Sequence, residues 1–211
     1  MVDPMANGSR FPRGTLPRPE YQPGAYLLAD DLKAGQQYLQ QRFRRHLRRL
    51  HNWGVACGMR VIPANDPAHP WGVYVCPGYA IGPYGDEIQL AQRTLLDITE
   101  FLWRRSLLQD PPSHAYVGIR YAEDSIKPVP TPVAVCRCED TVYTASRISD
   151  GYDLAALWAF PADERQGRFE MCGQSMPFCS SCPPSPYVLL ARVKLPASEG
   201  VPIVAADIST V

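Results

Sequence analysis

The chain has 211 residues, of which 45% are hydrophobic, so it can bury a sizeable core without disulfide bonds. Its 21 basic and 21 acidic residues balance, and this disfavours recruitment by nucleic acid or by an acidic membrane surface. No apolar run approaches the ~20 residues of a membrane span, and no hydrophobic leader is evident. We therefore expect synthesis in a cytoplasm, where the 7 cysteines are thiols or metal ligands rather than disulfides.

Residues 1–25 are rich in Pro, Gly and Arg and show no periodicity. Two interpretations are open: a flexible tail, or an extended arm that a neighbouring subunit orders. Tyr21 and Tyr26 would give such an arm side chains to bury.

Residues 28–52 predict one long amphipathic helix. Asp30 or Asp31 can cap its N-terminus and complement the positive end of the helix dipole, and Gly54 is expected to end it. Apolar residues recur along it at spacings of three, four and seven and form one stripe: Leu28, Leu32, Leu39, Phe43, Leu47 and Leu50. We expect this stripe to pack on a sheet.

Arginines crowd the last turns of this helix, at Arg42, Arg44, Arg45, Arg48 and Arg49. The negative end of the dipole needs only one or two of these charges. A solvated face is one interpretation, and a basic surface that docks on an acidic partner is the other. Nucleic-acid binding is a weaker option, because no aromatic or Gly-rich recognition motif accompanies the arginines. His46 and His51, five residues apart, should lie on different faces of the helix.

Short apolar runs separated by Gly and Pro follow the helix and predict antiparallel strands. The expected strands are Val55–Ile62, Gly72–Cys76, Tyr79–Ile81, Glu87–Leu90, Thr94–Ile98, Ala115–Tyr121, Tyr187–Leu195 and Gly200–Ile208. Residues 100–110 have helical spacing. Prolines at alternate positions place the extended stretch 126–135 at a sheet edge or across the surface, and residues 141–160 indicate one or two strands around Ser149-Asp150-Gly151.

These elements predict an α+β fold, in which the long N-terminal helix packs on a mainly antiparallel, sandwich- or barrel-like β domain. The arm spans residues 1–25, and a single domain spans 26–211. That domain includes a helix–hairpin module at 26–90 and a Cys-rich insertion at 136–186. Cys57 and Cys76 lie in apolar strands and should be buried. Asp86-Glu87 is interpreted as part of a turn rather than as an acid–base pair.

Two closely spaced cysteine pairs, Cys136/Cys138 and Cys179/Cys182, predict a structural zinc site of four thiolates. Cys172 competes as a ligand. Metal binding would order a loop that is poor in apolar residues, because it contributes a binding free energy of about 10 kcal/mol to that ordering. Free thiols, disulfides in an oxidising medium and an iron–sulfur cluster are the alternatives.

Known catalytic motifs are absent: the sequence has no phosphate-binding loop, no nucleophile elbow and no H-E-x-x-H helix. The sequence therefore offers no positive support for an enzyme. A metal-dependent enzyme or redox protein built on the cysteines stays the alternative function, and a zinc-stapled nucleic-acid adaptor is a weaker one.

The helix and the strands after it resemble a family of proteins encoded with phage-tail-like contractile injection systems and phage baseplates or tail fibres. The resemblance covers about Tyr26 to Leu90 well. The positions that carry it are His51, Trp53, Gly54, Val55, Cys57, Gly58, Met59, Val61, Val75, Pro77, Gly78, Tyr79, Ala80, Ile81, Gly85, Glu87 and Ile88. The C-terminal strands also resemble strand pairs of such modules, more loosely.

This resemblance implies a structural subunit of a tail-like particle, assembled with other subunits through homo-oligomeric, ring or fibre contacts. It implies no chemistry. The protein would be made in the cytoplasm and incorporated into the particle.

Overall fold

The computed structural model describes residues 16–131, 142–159, 184–196 and 201–210. Within these ranges the chain forms three antiparallel sheets and one long helix, which confirms the mixed, mainly antiparallel class. The sheets of the described ranges do not close into a barrel. None of the helices in these ranges is long and apolar enough to cross a membrane.

Helix α1 spans Ala29–His46 and continues for one turn of π-helix, Leu47–His51. The residue before the helix is Leu28, which has no side chain that can cap it, but Asp31 in the first turn accepts a hydrogen bond at Oδ2 from the backbone N–H of Leu28 at 3.0 Å. Its end differs from the prediction. The helix stops at Asn52, whose positive φ of 62° departs from the helical conformation.

The predicted strand Val55–Ile62 is in fact two strands, β1 (Gly54–Gly58) and β2 (Val61–Pro63), in different sheets. Two consecutive left-handed residues break it, Gly58 with φ 68° and Met59 with φ 53°. A Cβ at Gly58 would lie 2.2 Å from the carbonyl oxygen of Pro77, so the close approach of the chains also requires glycine.

The next four strands agree with the sequence pattern to within a residue or two: β3 (Gly72–Val75), β4 (Gly78–Ile81), β5 (Glu87–Leu90) and β6 (Thr94–Asp97). One sheet has the order β1-β4-β5 and another has the order β2-β3-β6. Helix α2 (Thr99–Ser106) follows, and its Phe101 ring stacks on Trp158 with ring centroids 3.9 Å apart.

The third sheet is built on a long hairpin of β7 (His114–Thr131) and β8 (Val142–Leu157), joined by β9 (Val188–Lys194) and β10 (Ile208–Thr210) in the order β10-β9-β7-β8. Strand β9 pairs with β7 only from His114 to Ile119. Beyond that point the hairpin is a two-stranded ribbon, so Pro128 and Pro130 lie on a free edge, as predicted.

Of the one or two strands expected around Ser149-Asp150-Gly151 the structure shows one, β8, whereas the strand expected at Gly200–Ile208 is wrong over most of its length. No turn interrupts β8 at residues 149–151, because Gly151 pairs with Ala122 in a continuous ladder. Residues 201–204 are not a strand either. The Ile203 N–H donates to the carbonyl of Pro70, and Trp71 Nε1 donates to the carbonyl of Val201, so this stretch is held by the loop before β3.

The core lies where the three sheets meet, around fully buried branched side chains such as Val73, Ile88, Val117 and Val193. Cys57 and Cys76 do not belong to it: Cys57 is exposed and Cys76 is half-buried. The burial expected for them is wrong: Cys57 lies in β1, an edge strand whose last three residues face solvent, and Cys76 lies just beyond the end of β3.

Candidate assembly interface

Five of the six residues of the apolar stripe face solvent, and no residue of α1 is buried; the sixth, Leu47, lies beyond α1. The expected packing of this stripe on a sheet is therefore wrong. The exposed fractions along the stripe are 64% for Leu28, 50% for Leu32, 65% for Leu39, 48% for Phe43 and 62% for Leu50. Isolated exposed apolar residues are ordinary, but a continuous row marks an interaction surface.

Among the described residues, the contact of the helix with the β sheets is at its C-terminal end. Leu47, in the π-turn, is 8% exposed and joins the core. Arg44 points to the β sheets, where its Nε lies 2.5 Å from Asp86 Oδ1. At about 100° per residue, Arg44 is roughly 100–140° around the helix from Leu32, Leu39 and Phe43. The stripe is thus directed away from the contact that anchors the helix.

Asp86 is placed for this contact by a tight turn between β4 and β5. Gly82 N–H donates to the carbonyl of Asp86 at 2.7 Å, and Gly85 N–H donates to the carbonyl of Gly82 at 2.9 Å. Gly85 has φ 86°, and a Cβ there would lie 2.1 Å from the carbonyl oxygen of Arg44. The turn therefore meets the helix backbone at van der Waals contact, and only glycine fits.

Two further groups lie close to the Arg44 guanidinium. It lies 3.7 Å from Glu123 Oε1 and 5.5 Å from the centroid of the Tyr121 ring. The Tyr121 hydroxyl donates to Asp150 Oδ1 at 2.5 Å, with Glu123 Oε1 at 3.0 Å. These residues come from both strands of the long hairpin, so the anchor joins the helix to two sheets.

The electrostatics of this cluster follow from its burial. Burial raises the pKa of the Asp86 carboxyl, and the positive charge of Arg44 opposes the rise without cancelling it. Burial, then the hydrogen bonds with Asp150 and Glu123, raise the pKa of Tyr121. Each carboxylate of the cluster has a partner in this chain. The geometry therefore fits a structural anchor rather than an acid–base site.

The π-turn changes which residues are neighbours at the end of the helix. The rings of His46 and His51 have centroids 5.6 Å apart, although residues five apart diverge on an α-helix. The wider turn brings residue i+5 back onto the same side. The expectation that these histidines lie on different faces is therefore wrong.

Part of the N-terminal arm lies along the first half of the helix. The Tyr21 hydroxyl donates to the carbonyl of Asp31 at 3.2 Å. A Cβ at Gly35 would lie 3.0 Å from the Tyr21 hydroxyl and 3.6 Å from Pro19, so the arm uses the space above this glycine. Residues 1–15 lie outside the described ranges.

The structure brings one predicted partner-binding arginine, Arg44, into an intramolecular contact. Binding of a partner by Arg42, Arg45, Arg48 and Arg49 stays a prediction. The proposed zinc ligands Cys136, Cys138, Cys172, Cys179 and Cys182 lie outside the described residues. Among the residues that are described, no group of three His, Cys, Asp or Glu side chains is placed to hold a metal ion.

Sequence reasoning missed Asp86 and Gly85 as partners of the helix. Both lie in a Gly- and Pro-rich turn, a pattern that predicts a turn whether or not anything docks on it. The excess of arginines at the helix end was the one available indication that an internal carboxylate is needed.

No protein-family model matches the sequence, and no curated protein is similar to it. Solved structures with a partial likeness in fold include two baseplate assemblies. One is the TssK-TssF-TssG baseplate subcomplex of the type VI secretion system, revealed by cryo-electron microscopy. A chain of it matches with a TM-score of 0.42 and 12% identity over 87% of this chain and 58% of that chain.

The other structure is the baseplate complex from the type VI secretion system, with a TM-score of 0.38 and 11% identity over 87% of this chain and 56% of that chain. The present chain thus spans less than two thirds of either matched chain. The likeness is partial and concerns the fold, so the function proposed below rests on the chain's own residues.

Proposed function

We propose that this protein is a structural subunit of a contractile tail-like particle, in the baseplate or its fibres, and that the α1 stripe is its docking face. The observation that carries the proposal is the stripe itself. A row of five large apolar side chains, each about half exposed or more, runs along a helix whose contact with the described β sheets is at its C-terminal end.

Exposing such a stripe is unfavourable in water by about 25 cal/mol per Å² of apolar surface. A partner that covers it recovers this free energy, and this is how helix-in-groove and helix-bundle contacts are stabilised. The anchor at Arg44 and Gly85 holds the stripe in one orientation, so binding loses less conformational entropy. The resemblance of residues 26–90 to tail-like particle proteins supports a tail-like particle as the assembly to which the partner belongs.

The test is incorporation into the particle. Tagged wild-type chain and the Phe43→Asp variant are expressed in cells that make the particle, and the chain is quantified in purified particles by immunoblot. Gln40→Asp is the matched control, since Gln40 is an exposed residue of the same helix but lies outside the stripe. We expect wild type and the control in the particle fraction, and loss of Phe43→Asp by tenfold or more, on the order of 1.4 kcal/mol.

Equal incorporation of all three chains would overturn the role of the stripe. Absence of the wild-type chain from the particle, with the chain recovered only as a free protein, would overturn the assembly function.

We also propose that Cys136, Cys138, Cys179 and Cys182 hold a structural zinc ion, with Cys172 as a competing ligand. The support is the spacing of the two cysteine pairs. Cys136 and Cys138 fall between the two strands of the long hairpin, and the other pair precedes β9, so one ion would join the hairpin to the segment before β9. No observation among the described residues favours the alternative of a metal-dependent enzyme or redox protein.

A further inference from the structure

We infer that the outer edge of β8, from Tyr143 to Ser149, binds an extended segment of a neighbouring subunit, which adds to the sheet as a further strand. This inference rests on the proposed assembly function and names a second contact of that assembly, separate from the α1 stripe. It is carried by the difference between the two edges of the β7–β8 ribbon and by the side chains that the β8 edge leaves exposed.

The ribbon is the part of the third sheet that has only two strands. Strand β9 pairs with β7 no further than Ile119, whereas the β7–β8 ladder continues to Thr131 and Val142. Two strands alone are marginally stable in water. Among the described residues, no backbone hydrogen bond outside this ladder involves a residue of β8. Within the described ranges, the ribbon therefore has a free edge on each side.

The β7 edge is closed to further pairing near the end of the ribbon. Pro128 pairs with Ala145 and Pro130 pairs with Tyr143. Because proline has no N–H, these pairs belong to the alternate set that exchanges no hydrogen bonds across the ladder and directs its backbone groups outward. The β7 edge thus lacks two successive outward donors. Lys127, with φ 56°, adds an irregular residue between them and Ile126. Natural edge strands are kept from pairing by prolines, lysines and irregular backbone.

The β8 edge is open. By the same alternation, the residues of β8 that direct both N–H and C=O outward are Tyr143, Ala145, Arg147 and Ser149, and none is proline. Their backbone groups recur about every 7 Å, which is the repeat of the outward groups of any antiparallel strand. An extended segment can therefore bond to all four residues. With one edge closed and the other open, strand addition is directed to β8.

The exposed side chains favour a strand over a helix as the occupant. Tyr143 is 65% exposed and Ile148 is 66% exposed. These two residues are five apart in one strand, so their side chains lie on opposite faces of the ribbon. The side chains of an added strand alternate between the faces and would lie beside both residues. A helix laid on one face would cover only one of them.

Charge specifies the occupant further. Arg147 is exposed, its ladder partner Ile126 is apolar, and none of the ion pairs among the described residues includes it. Nucleic acid is disfavoured, because the same ribbon carries Glu123, Asp124 and Asp150. We therefore expect a partner segment with alternating apolar residues and a carboxylate beside Arg147.

A matched pair of proline substitutions tests the strand pairing. Ala145→Pro removes an outward donor from the β8 edge, and Ala122→Pro removes one from the β7 edge, since Ala122 alternates with Pro128. Neither change removes a hydrogen bond of the ladder, so both variants should keep the urea midpoint of the wild type. In purified particles, Ala145→Pro should fall about tenfold, because it loses a hydrogen bond and its ring obstructs the incoming strand. Ala122→Pro should incorporate as wild type does. Equal incorporation of the two variants would refute the pairing.

Hydrogen exchange of the wild-type chain gives a second test that needs no substitution. The free chain and purified particles are compared by mass spectrometry, with fragmentation to resolve single amides. The outward amides of Tyr143, Ala145, Arg147 and Ser149 should exchange at least about tenfold more slowly in particles. Slow exchange in the free chain would mean that the chain covers its own edge, and fast exchange in particles would mean that nothing covers it. Either result contradicts the inference.

Reversal of one charge tests the expected carboxylate. Arg147→Glu should lower incorporation severalfold, because it places two carboxylates side by side across the new strand pair. Lys127→Glu is the control, since it makes the same change of charge at an exposed residue of β7. Equal incorporation of Arg147→Glu and wild type would exclude an acidic residue beside Arg147.

Failure of this inference and failure of the assembly function give different results. Wild type present in particles together with undiminished Ala145→Pro would remove the strand pairing and leave the assembly function. Wild type absent from particles would remove the assembly function and this contact with it.

Discussion

The guanidinium of Arg44 lies 2.5 Å from the carboxylate of Asp86, and this contact joins the last α-helical turn of α1 to the turn between β4 and β5. The side chain of Asp86 is only 10% exposed and that of Arg44 is 30% exposed. The pair is thus largely withdrawn from water, and it sets the direction in which a solvent-exposed apolar stripe is presented.

Arg44→Met should lower the free energy of unfolding by about 3 kcal/mol, since removing one partner leaves a buried carboxylate without its counter-charge. Urea denaturation followed by circular dichroism measures this change. Arg45→Met is the matched control, because Arg45 is exposed on the same turn, and its effect should stay within about 0.5 kcal/mol. Equal losses in both variants would show that Arg44 acts through the positive charge of the helix end and not through its contact with Asp86.

Gly85→Ala should destabilise the chain by about 2–5 kcal/mol. It adds a left-handed alanine, and it also drives a Cβ into the Arg44 carbonyl, which lies 2.1 Å away. Gly24→Ala separates the two causes, because Gly24 also has a positive φ, 81°, but no atom lies within 4 Å of its Cβ position. The control should cost only about 1–2 kcal/mol. Thermal melts of both variants give the comparison, and similar losses would refute the close approach.

Leu47→Ala and Leu50→Ala test how the helix end is seated. Leu47 is 8% exposed and Leu50 is 62% exposed, although both lie in the same π-turn. We expect a loss of about 2–5 kcal/mol for Leu47→Ala, from the cavity that it leaves, and less than about 0.5 kcal/mol for Leu50→Ala. These values apply to dilute protein, measured by chemical denaturation, where a partner does not cover Leu50. A larger loss at Leu50 would mean that the stripe is buried.

Asp97 should stabilise the fold in a pH-dependent way. Its burial alone would raise the pKa of the carboxyl, but hydrogen bonds with Thr99 and His69 outweigh burial and lower that pKa below 3.8. His69 Nδ1 lies 2.8 Å from Asp97 Oδ2, and the Thr99 N–H donates to Oδ1 at 2.9 Å. An acid whose pKa is lowered by folding contributes stability above its unfolded pKa, and this contribution is lost as pH falls through the folded pKa.

The stability difference between wild type and Asp97→Asn should therefore be constant near neutral pH and shrink in acid. Urea midpoints measured between about pH 6 and about pH 2 test this. Thr99 N–H can still donate to the amide oxygen of the variant, so the comparison isolates the charge. A difference that grows as pH falls would have the wrong sign.

Zinc should copurify with the wild-type chain at about one ion per chain, as measured by inductively coupled plasma mass spectrometry. Cys136→Ser and Cys179→Ser should each lower the zinc content severalfold. Cys57→Ser is the control and should retain the metal, because Cys57 lies in β1, away in sequence from both pairs. Full zinc content in all three variants, or none in the wild type, would contradict the proposed ligands.

Local patterns in the sequence predicted most of the elements themselves. Turn residues and short apolar runs locate β3 to β6 to within a residue or two, because each of these strands is only 4 residues long, although of the four only β5 alternates between buried and exposed residues. Where a break in a strand depends on a segment that is distant in the sequence, the local pattern does not predict the break. The residues around Gly58 do not reveal in the sequence that Pro77 will approach Gly58 closely enough to end β1.

The same division applies to α1. The sequence by itself determines that this helix exists, that its apolar residues form one stripe, and that its arginines gather at one end, since all three follow from the period of the helix. Only the tertiary structure decides which side faces the sheets. A single buried carboxylate, Asp86, and a glycine with no side chain, Gly85, hold the Arg44 side of the helix, and the stripe is left exposed. The periodicity of the sequence shows that one face of the helix is apolar. Whether that face is covered by the same chain or by another depends on contacts between residues far apart in sequence.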